Sequence, residues 1–247
     1  MGLLEWARGY FNVRVRKDWH FRRLMETAPA MRWLNPRRGE RILDIGSGDG
    51  TYDYRMARRG GRVVGFDLDR PKLRTATRHH GGKGLAYVEA DASAMPVKSG
   101  WFDVVVSLCV FEHLQNDETV LAEAHRALRA GGRLLLTLDS LSRSDIPESW
   151  RDRHRIKHAV RQFYTVPAIQ SKLEKNGFRL IRSRYLLSSR IDLRFIKWSY
   201  ATERMRAVPA ALVRTFLVTL GRWMCDVANF FSRSDGGWTL LVEASRA

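Results

Sequence analysis

Short apolar runs alternate with longer amphipathic segments through the middle of this 247-residue chain. The short runs are rich in aliphatic and β-branched residues, as buried strands are. Glycine pairs such as Gly60-Gly61 follow the amphipathic segments and are typical of helix endings. Five strands are predicted, at Arg41–Ile45, Arg62–Phe66, Leu85–Val88, Phe102–Ser107 and Arg133–Leu138.

This alternation of strand and helix predicts an α/β fold built on a doubly wound parallel sheet. The fourth strand contains three successive valines, and such a run indicates burial on both faces of the sheet. Helices are predicted between the strands, over Thr51–Arg59, from Pro71 to His79 and over Glu118–Leu128.

The pattern changes after Asp139, where Ser140–Trp150 is polar and is predicted to be a loop. Two more helices and two more strands follow this loop along the chain. The helices are predicted over Arg151–Gln162 and Val166–Asn176, and the strands over Phe178–Leu187 and Trp238–Ala244.

These elements divide the chain into three parts. Residues 1–40, with one or two helices over 3–33, are predicted to form an N-terminal helical cap. Residues 41–189 and 237–247 are predicted to form the sheet domain, and residues 190–236 a helical insertion or lid.

Within the insertion, apolar residues recur at spacings of four and three and form one stripe of a helix. We expect this stripe to dock on the sheet or on a partner subunit. A lid over an apolar pocket and a helix lying in a membrane interface are the alternatives. The stripe consists of Leu212, Phe216, Leu220, Trp223, Val227 and Phe231.

The first predicted strand leads into a glycine-rich turn, residues 46–50, with the sequence GSGDG. Glycines allow a sharp bend and let a ligand approach the backbone. The N-terminus of the following helix favours a negative group such as a carboxylate. The G-x-G-x-G spacing differs from the G-x-G-x-x-G of pyrophosphate-binding dinucleotide folds.

An acidic residue follows each of the next two strands. Asp67 is placed to accept the two hydroxyl hydrogens of a ribose, whereas Asp69 is better placed to cap the helix that follows. Asp91 is a candidate to accept from an adenine amino group, with the amide of Ala92 donating to the ring. The turn and the two acids together predict an adenosine site.

Five segments carry a family resemblance, and they are LDIGSGDG, VVGFDLD, EADASAMP, FDVVVSLCVFEHL and LRAGGRLLL. In this order and spacing the chain resembles the class I S-adenosylmethionine-dependent methyltransferase superfamily, in its small-molecule branch. The resemblance covers residues 40–188 and resumes at 237–246. It implies a seven-stranded Rossmann-like sheet in which an antiparallel seventh strand lies between the fifth and sixth.

The resemblance also implies methyl transfer from S-adenosyl-L-methionine and a set of cofactor-binding residues. Part of the set surrounds the methionine moiety, part binds the adenosine, and the last two lie beneath the sulfonium. The implied set is Asp44, Gly46, Ser47, Gly48, Asp67, Leu68, Asp91, Ala92, Ser107 and Leu108.

Two residues are candidates for catalysis at the acceptor. His113 is a candidate general base if the acceptor loses a proton, and shaping the helix that starts there is its alternative role. Tyr164 either borders the acceptor pocket or packs under the lid. Arg22 and Arg23 lie on the predicted N-terminal helix, where Arg23 is a candidate partner for the cofactor carboxylate. A solvated charge is the commoner role for any single arginine.

The formal charge of +17 is distributed unevenly. Residues 41–139 hold 14 basic and 13 acidic residues, residues 1–40 hold 9 and 4, and residues 140–247 hold 20 and 9. Basic flanks around a neutral cofactor half predict a small-molecule or lipid-like acceptor that is anionic. They also suggest peripheral membrane contact through the flanks and the insertion helix.

Alternative functions remain open on the sequence alone. An RNA methyltransferase is supported only by charge, and a methyltransferase-like protein without activity is a third hypothesis. The two cysteines, Cys109 and Cys225, lack metal-ligand spacing, so no metal site is predicted and a reduced, cytoplasmic protein is expected. Attachment at the membrane periphery and a homodimer are compatible with this expectation.

Overall fold

The computed structural model describes residues 21–82, 84–202, 207–231 and 235–247. The first half of the predicted cap, residues 1–20, lies outside the described residues, as does the side chain of Phe231. No helix of the described part is long and apolar enough to cross a membrane.

Seven strands form one mixed sheet in the order β3-β2-β1-β4-β5-β7-β6. β7 runs antiparallel to both β5 and β6, and the remaining pairs are parallel. This arrangement confirms the predicted fold. The strands are β1 (Arg41–Ile45), β2 (Arg62–Asp67), β3 (Leu85–Glu89), β4 (Phe102–Leu108), β5 (Leu128–Asp139), β6 (Phe178–Leu186) and β7 (Thr239–Arg246).

Helices cover both faces of the sheet. Asp69 caps the helix that follows β2 by accepting from the Lys72 amide at 3.0 Å, as the sequence indicates. The helices are α1 (Phe21–Leu34), α2 (Thr51–Arg58), α3 (Arg70–His80), α4 (Asp117–Ala127), α5 (Glu148–His158), α6 (Val166–Lys175), α7 (Arg190–Ala201), α8 (Ala207–Phe216) and α9 (Arg222–Phe231).

Two apolar clusters form the core, one on each face of the sheet. Alternate residues of β1 supply them, with Leu43 and Ile45 on one face and Ile42 on the other. Helices α4 and α6 pack on the first face, and α1 and α2 pack on the second. A third cluster joins the start of α1 to α7 and to the turn before α9.

The helix after the fifth strand lies earlier in the chain than predicted. α5 begins at Glu148, directly after Pro147, whose fixed φ suits a helix start. It ends at His158 because Ala159 takes a left-handed conformation, with φ of 52°. The predicted range of 151–162 therefore missed both ends, and part of the predicted loop at 140–150 is helical.

The described residues of the insertion stripe do not dock on the sheet, so that part of the expectation is wrong, and docking on a partner subunit stays a prediction. α8 and α9 are joined by a π-helical turn, Leu217–Gly221, and the buried side of this unit carries Leu217, Gly221 and Cys225. Gly221 faces the Phe195 ring of α7, since a Cβ added there would lie 3.4 Å from it, at van der Waals contact. The bulky stripe faces outward instead, with Leu212, Leu220, Trp223 and Val227 exposed and Phe216 half-buried.

Candidate functional site

A cleft of about 530 Å³ opens at the carboxyl ends of β1, β2 and β4. The strand order reverses at β1, because the chain runs outward from β1 to β2 and β3 and then returns to the other side of β1 as β4. Open α/β sheets bind ligands at such a switch point. The sheet topology thus brings together side chains that are far apart in the sequence.

The glycine turn forms one wall of the cleft. The amides of Gly46 and Ser47 both donate to the Phe66 carbonyl, at 2.7 and 2.8 Å, which ties the turn to the end of β2. Gly46 has a φ of 80°, and a Cβ there would lie 2.3 Å from Cγ2 of Val110. The turn therefore requires glycine for its conformation and for its close packing against the segment after β4.

Asp67 faces the turn from the end of β2. Its Oδ2 accepts from the Gly48 amide and its Oδ1 from the Asp69 amide, both at 2.8 Å. Each carboxylate oxygen has a second lone pair, so both remain able to accept a hydroxyl hydrogen. Leu68 is 68% exposed and adds an apolar surface beside this carboxylate. An acid next to an exposed apolar surface fits a ribose next to a planar base.

Asp91 and Ala92 border the same cleft after β3. The Ser93 amide donates to Oδ1 of Asp91 at 2.8 Å, and this hydrogen bond lowers the pKa of the Asp91 carboxyl. Asp91 is therefore an ionised acceptor at neutral pH, as recognition of an amino group requires.

All the predicted cofactor-binding residues except Ser107 line the cleft. Ser107 is fully buried below it, and its hydroxyl donates to the Ile45 carbonyl at 2.9 Å, which ties β4 to β1. Ser47 also lines the cleft, and its buried hydroxyl has no hydrogen-bond partner among the described residues. Glycine backbone, acceptor carboxylates and an unpartnered hydroxyl together fit a nucleoside with an amino-acid tail.

The two predicted catalytic residues lie in different environments. His113 is exposed, lines the cleft and has Nδ1 3.3 Å from the Ala159 carbonyl oxygen. Tyr164 is 1% exposed and packs in the core, where its hydroxyl donates to Oδ2 of Asp117 at 2.6 Å. Burial and the Asp117 carboxylate raise the pKa of this phenol. Tyr164 therefore lies in the core of the sheet domain and does not line the cleft, and its role at the acceptor stays a prediction.

A second cavity of about 760 Å³ lies between α5 and α7. Aromatic rings of Trp150, Tyr200 and Trp238 contribute to its walls. The exposed cations that border it are Arg153, Lys157 and Lys197. This combination suits a molecule with an apolar body and a negative group.

A buried His–Asp pair lies in the wall of the second cavity. Nε2 of His154 is 2.6 Å from Oδ2 of Asp139, the last residue of β5. Burial raises the pKa of Asp139, but the hydrogen bond from His154 and the charge of Arg22 outweigh it, and the net pKa is lowered. An ionised Asp139 accepts from Nε2–H, which leaves Nδ1 of His154 as a proton acceptor.

His158 lies one helical turn beyond His154, with ring centroids 4.6 Å apart. Burial, together with the neighbouring His154 and Arg22, lowers the pKa of His158 to about 4. His158 is therefore neutral at neutral pH and adds no charge to the cavity.

A buried polar network connects the cleft with the second cavity. Arg22 donates through Nη1 to Oε1 of Glu26 at 3.1 Å and approaches Oδ1 of Asp139 at 3.5 Å. Cys109, which lines the cleft, has Sγ 3.8 Å from Oε2 of Glu26. Arg22 is thus a buried ion-pair partner, and the expectation of a solvated charge is wrong for this residue. Arg23 lines the cleft, where the carboxylate of the ligand is expected.

The carboxyl of Glu112 is buried beside the cleft, and no local pattern of the sequence indicates this burial. Glu112 is 1% exposed, and neither carboxyl oxygen has a hydrogen-bond partner within the described part of the chain. Burial first, and the nearby Asp139 second, raise the pKa of this group well above its ordinary value.

His154 and Asp139 were also missed, although the sequence contained two signals for them. Asp139 ends a strand of the sheet, as Asp67 does, and an acid at a strand end reaches the ligand-binding edge. His154 and His158 are four residues apart in a helix and therefore share one face. Within the described residues no cluster of potential metal ligands occurs.

Residues 43–136 match the sequence profile of a family described as "Methyltransferase domain". The chain is 34% identical over 114 residues to a ubiquinone biosynthesis O-methyltransferase of Pseudomonas aeruginosa strain UCBPP-PA14, across 42% of this chain and 48% of that protein. It is 33% identical over 112 residues to a ubiquinone/menaquinone biosynthesis C-methyltransferase of Ruegeria sp. strain TM1040, across 43% of this chain and 45% of that protein. The chain thus spans about half the length of these relatives.

The fold is similar to the solved structure of a geranyl diphosphate C-methyltransferase from Streptomyces coelicolor A3(2). The TM-score is 0.65 at 15% identity, and the similarity covers 91% of this chain and 79% of that one. The resemblance in sequence is concentrated in the cleft half of the molecule, whereas the resemblance in fold extends over most of it.

Proposed function

We propose that the chain, whose residues 43–136 match a family described as "Methyltransferase domain", is a class I S-adenosylmethionine-dependent methyltransferase that methylates a small-molecule, lipid-like, anionic acceptor. The observation that carries this proposal is the convergence of the glycine turn, Asp67 and Asp91 on one cleft. The similar relatives act in quinone biosynthesis by name, on either oxygen or carbon. The acceptor is therefore proposed as a class and not as one compound.

The cleft residues would hold S-adenosylmethionine as follows. Asp67 would accept from the ribose, Asp91 and the Ala92 amide would bind the adenine edge, and Leu68 would pack on the ring. Arg23 would face the carboxylate of the methionine moiety. When bound, this cofactor supplies a methyl group that its sulfonium already activates for in-line transfer. The protein then has mainly to position the acceptor atom and to exclude water.

Replacing Asp67 with alanine tests the cofactor part of the proposal. We expect the Kd for S-adenosylmethionine to rise roughly 10- to 100-fold, because two ribose hydroxyls would lose their buried acceptor. Isothermal titration calorimetry measures the change directly. Asp69→Ala is the matched control, since Asp69 caps α3 outside the cleft lining. Equal effects of the two substitutions would show that Asp67 is not the ribose ligand.

The second cavity is the proposed site of the acceptor. Its bordering cations Arg153, Lys157 and Lys197 would attract a negative group, and Trp150 and Trp238 would pack against an apolar body. The polar network of Arg22, Glu26 and Asp139 lies between this cavity and the Cys109 wall of the cleft. For in-line transfer the acceptor atom would have to reach past this buried layer to the methyl group held in the cleft.

His154 is the proposed general base for an acceptor that loses a proton. Its Nδ1 is available while Asp139 holds Nε2–H and would stabilise the resulting imidazolium. His113 remains a second candidate, because it borders the cleft itself.

We expect His154→Gln to lower kcat about 100-fold with a smaller change in KM, since glutamine donates to Asp139 but takes no proton. His154→Asn, which cannot take up a proton either, should show the same loss of kcat. His113→Gln is the competing variant, and His125→Gln, on α4 at the opposite face, is the control. A comparable loss of kcat in His113→Gln alone, with His154→Gln unchanged, would assign the base to His113.

The acceptor class can be tested before the acceptor itself is identified. The protein is incubated with S-adenosylmethionine labelled in the methyl group and with total lipid, an aqueous metabolite extract or total RNA in parallel. We expect label in the lipid or metabolite fraction, in products retained by an anion exchanger. Label in RNA alone would overturn the small-molecule proposal, and absence of cofactor binding would overturn methyl transfer altogether.

A further inference from the structure

We infer that the outward face of α8 and α9, together with a neighbouring cluster of arginines, is a docking surface for an anionic lipid bilayer. The surface, called here the docking face, has an apolar half and a basic half. The apolar half consists of Leu212, Leu220, Trp223 and Val227, and the basic half of Arg32, Arg55, Arg58, Arg59 and Arg222.

The side chains of the apolar half are mostly exposed to solvent. Leu212 and Trp223 are 69% and 63% exposed, and Leu220 is 51% exposed. These side chains share one side of the helical unit, while Leu217 and Cys225 fill the other side and anchor it to the molecule. A helix that is anchored on one face and apolar on the other can lie in the plane of a bilayer surface. Trp223 has the amphipathic ring that is enriched at membrane interfaces.

The basic half lines a concave surface of about 600 Å³ that also contains Tyr54 and Met31. Arg59 donates to the Met31 carbonyl at 3.1 Å, and Arg222 lies 3.7 Å from Asp226. Arg32 and Arg58 are exposed and make no ion pair with a carboxylate of the described chain. These two arginines therefore present positive charge that a negative headgroup could neutralise.

Arg222 joins the two halves, because it lines the concave surface and directly precedes Trp223. An apolar strip beside a cluster of cations is complementary to a bilayer with negative headgroups, which offers hydrocarbon and phosphate at one boundary. A second copy of the chain would instead place the arginine clusters of two molecules close together. RNA would neutralise the arginines but would leave Leu212 and Leu220 in water. The bilayer is the occupant that matches both halves.

The inference is tested by sedimentation with vesicles, independently of methyl transfer. We expect binding to vesicles of phosphatidylcholine and phosphatidylglycerol in equal parts, at least about tenfold weaker binding to pure phosphatidylcholine, and a decrease with added salt. Trp223→Ser should weaken binding about tenfold. Arg32→Gln with Arg58→Gln should weaken it about thirtyfold, since each arginine contributes separately near an anionic surface.

The matched control is Lys175→Gln with Arg179→Gln. Both residues are exposed and lie away from the docking face, at the end of α6 and the start of β6. The two substitutions remove the same amount of positive charge as Arg32→Gln with Arg58→Gln. Equal weakening by this control would show a non-specific charge effect and would overturn the inference. A change of oligomeric state in Trp223→Ser, without vesicle binding by the wild type, would assign the face to a second copy. The affinity of the same variants for S-adenosylmethionine should be unchanged. A lack of vesicle binding would therefore contradict the docking face without contradicting the proposed methyl transfer.

Discussion

Replacing Arg22 with methionine should lower the free energy of unfolding by about 3–5 kcal/mol. Arg22 is 6% exposed and its Nη1 lies between the carboxylates of Glu26 and Asp139. Methionine fills similar space but leaves two buried negative charges without this partner. Chemical denaturation with urea at neutral pH measures the loss.

The pH dependence of this loss has a definite sign. Arg22 is one of the causes that hold the pKa of Asp139 below its ordinary value, so the pair stabilises the fold above the unfolded pKa. As the pH falls through the lowered pKa of Asp139, this carboxylate takes up a proton, and the loss of the Arg22 cation costs less. The difference between wild type and Arg22→Met should therefore shrink on acidification.

Arg74→Met is the matched control for Arg22→Met. Arg74 is exposed on α3, and its loss should change stability by less than about 0.5 kcal/mol. A similarly small effect for Arg22→Met, or one that grows on acidification, would contradict the role assigned to the buried network.

Replacing Gly46 with alanine should raise the Kd for S-adenosylmethionine at least about 100-fold and destabilise the fold by about 2–3 kcal/mol. The new Cβ would lie 2.3 Å from Cγ2 of Val110, and the left-handed φ of 80° would add strain. Both the turn and the segment after β4 would have to shift, and both line the cleft. Calorimetry gives the affinity and urea denaturation the stability.

Two variants separate the contact from the backbone strain. Gly39 has a φ of 82°, and a Cβ added there would meet nothing within 4 Å. Gly39→Ala should therefore cost only about 1 kcal/mol and leave the affinity unchanged. Gly46→Ala combined with Val110→Ala should recover part of the affinity. If the double variant recovers none, the contact with Val110 is not the cause.

The strands and the cleft of the sheet domain could be predicted from the sequence because the patterns that indicate them are local. The valine run of β4, the glycine turn and the acids at strand ends each act within a few residues, and each lies where it was predicted. The antiparallel β7 between β5 and β6 came from the family resemblance, since strand order depends on contacts between distant segments.

The features that the sequence did not predict depend on contacts between residues that are distant in the sequence. The spacing of Leu220 and Trp223 shows that they share a helix face, but not that Gly221 and Cys225 make the other face the one that packs closely. Tyr164 and Asp117 are 47 residues apart, and only the folded chain shows their hydrogen bond. Arg22, Asp139 and His154 come from three separate elements, so their burial could not be inferred from charge alone.

The position of β7 has a consequence for how the chain is made. β6 contacts the rest of the sheet through β7, and β7 follows the whole insertion in the sequence. A nascent chain that has emerged only as far as the insertion contains the residues of β1 to β6 but lacks β7, the strand that pairs with both β5 and β6. During this interval the outer edge of β5 is open to pairing with other chains, which is an aggregation hazard. We therefore expect chaperone dependence during synthesis to end only when residues 239–246 have been released.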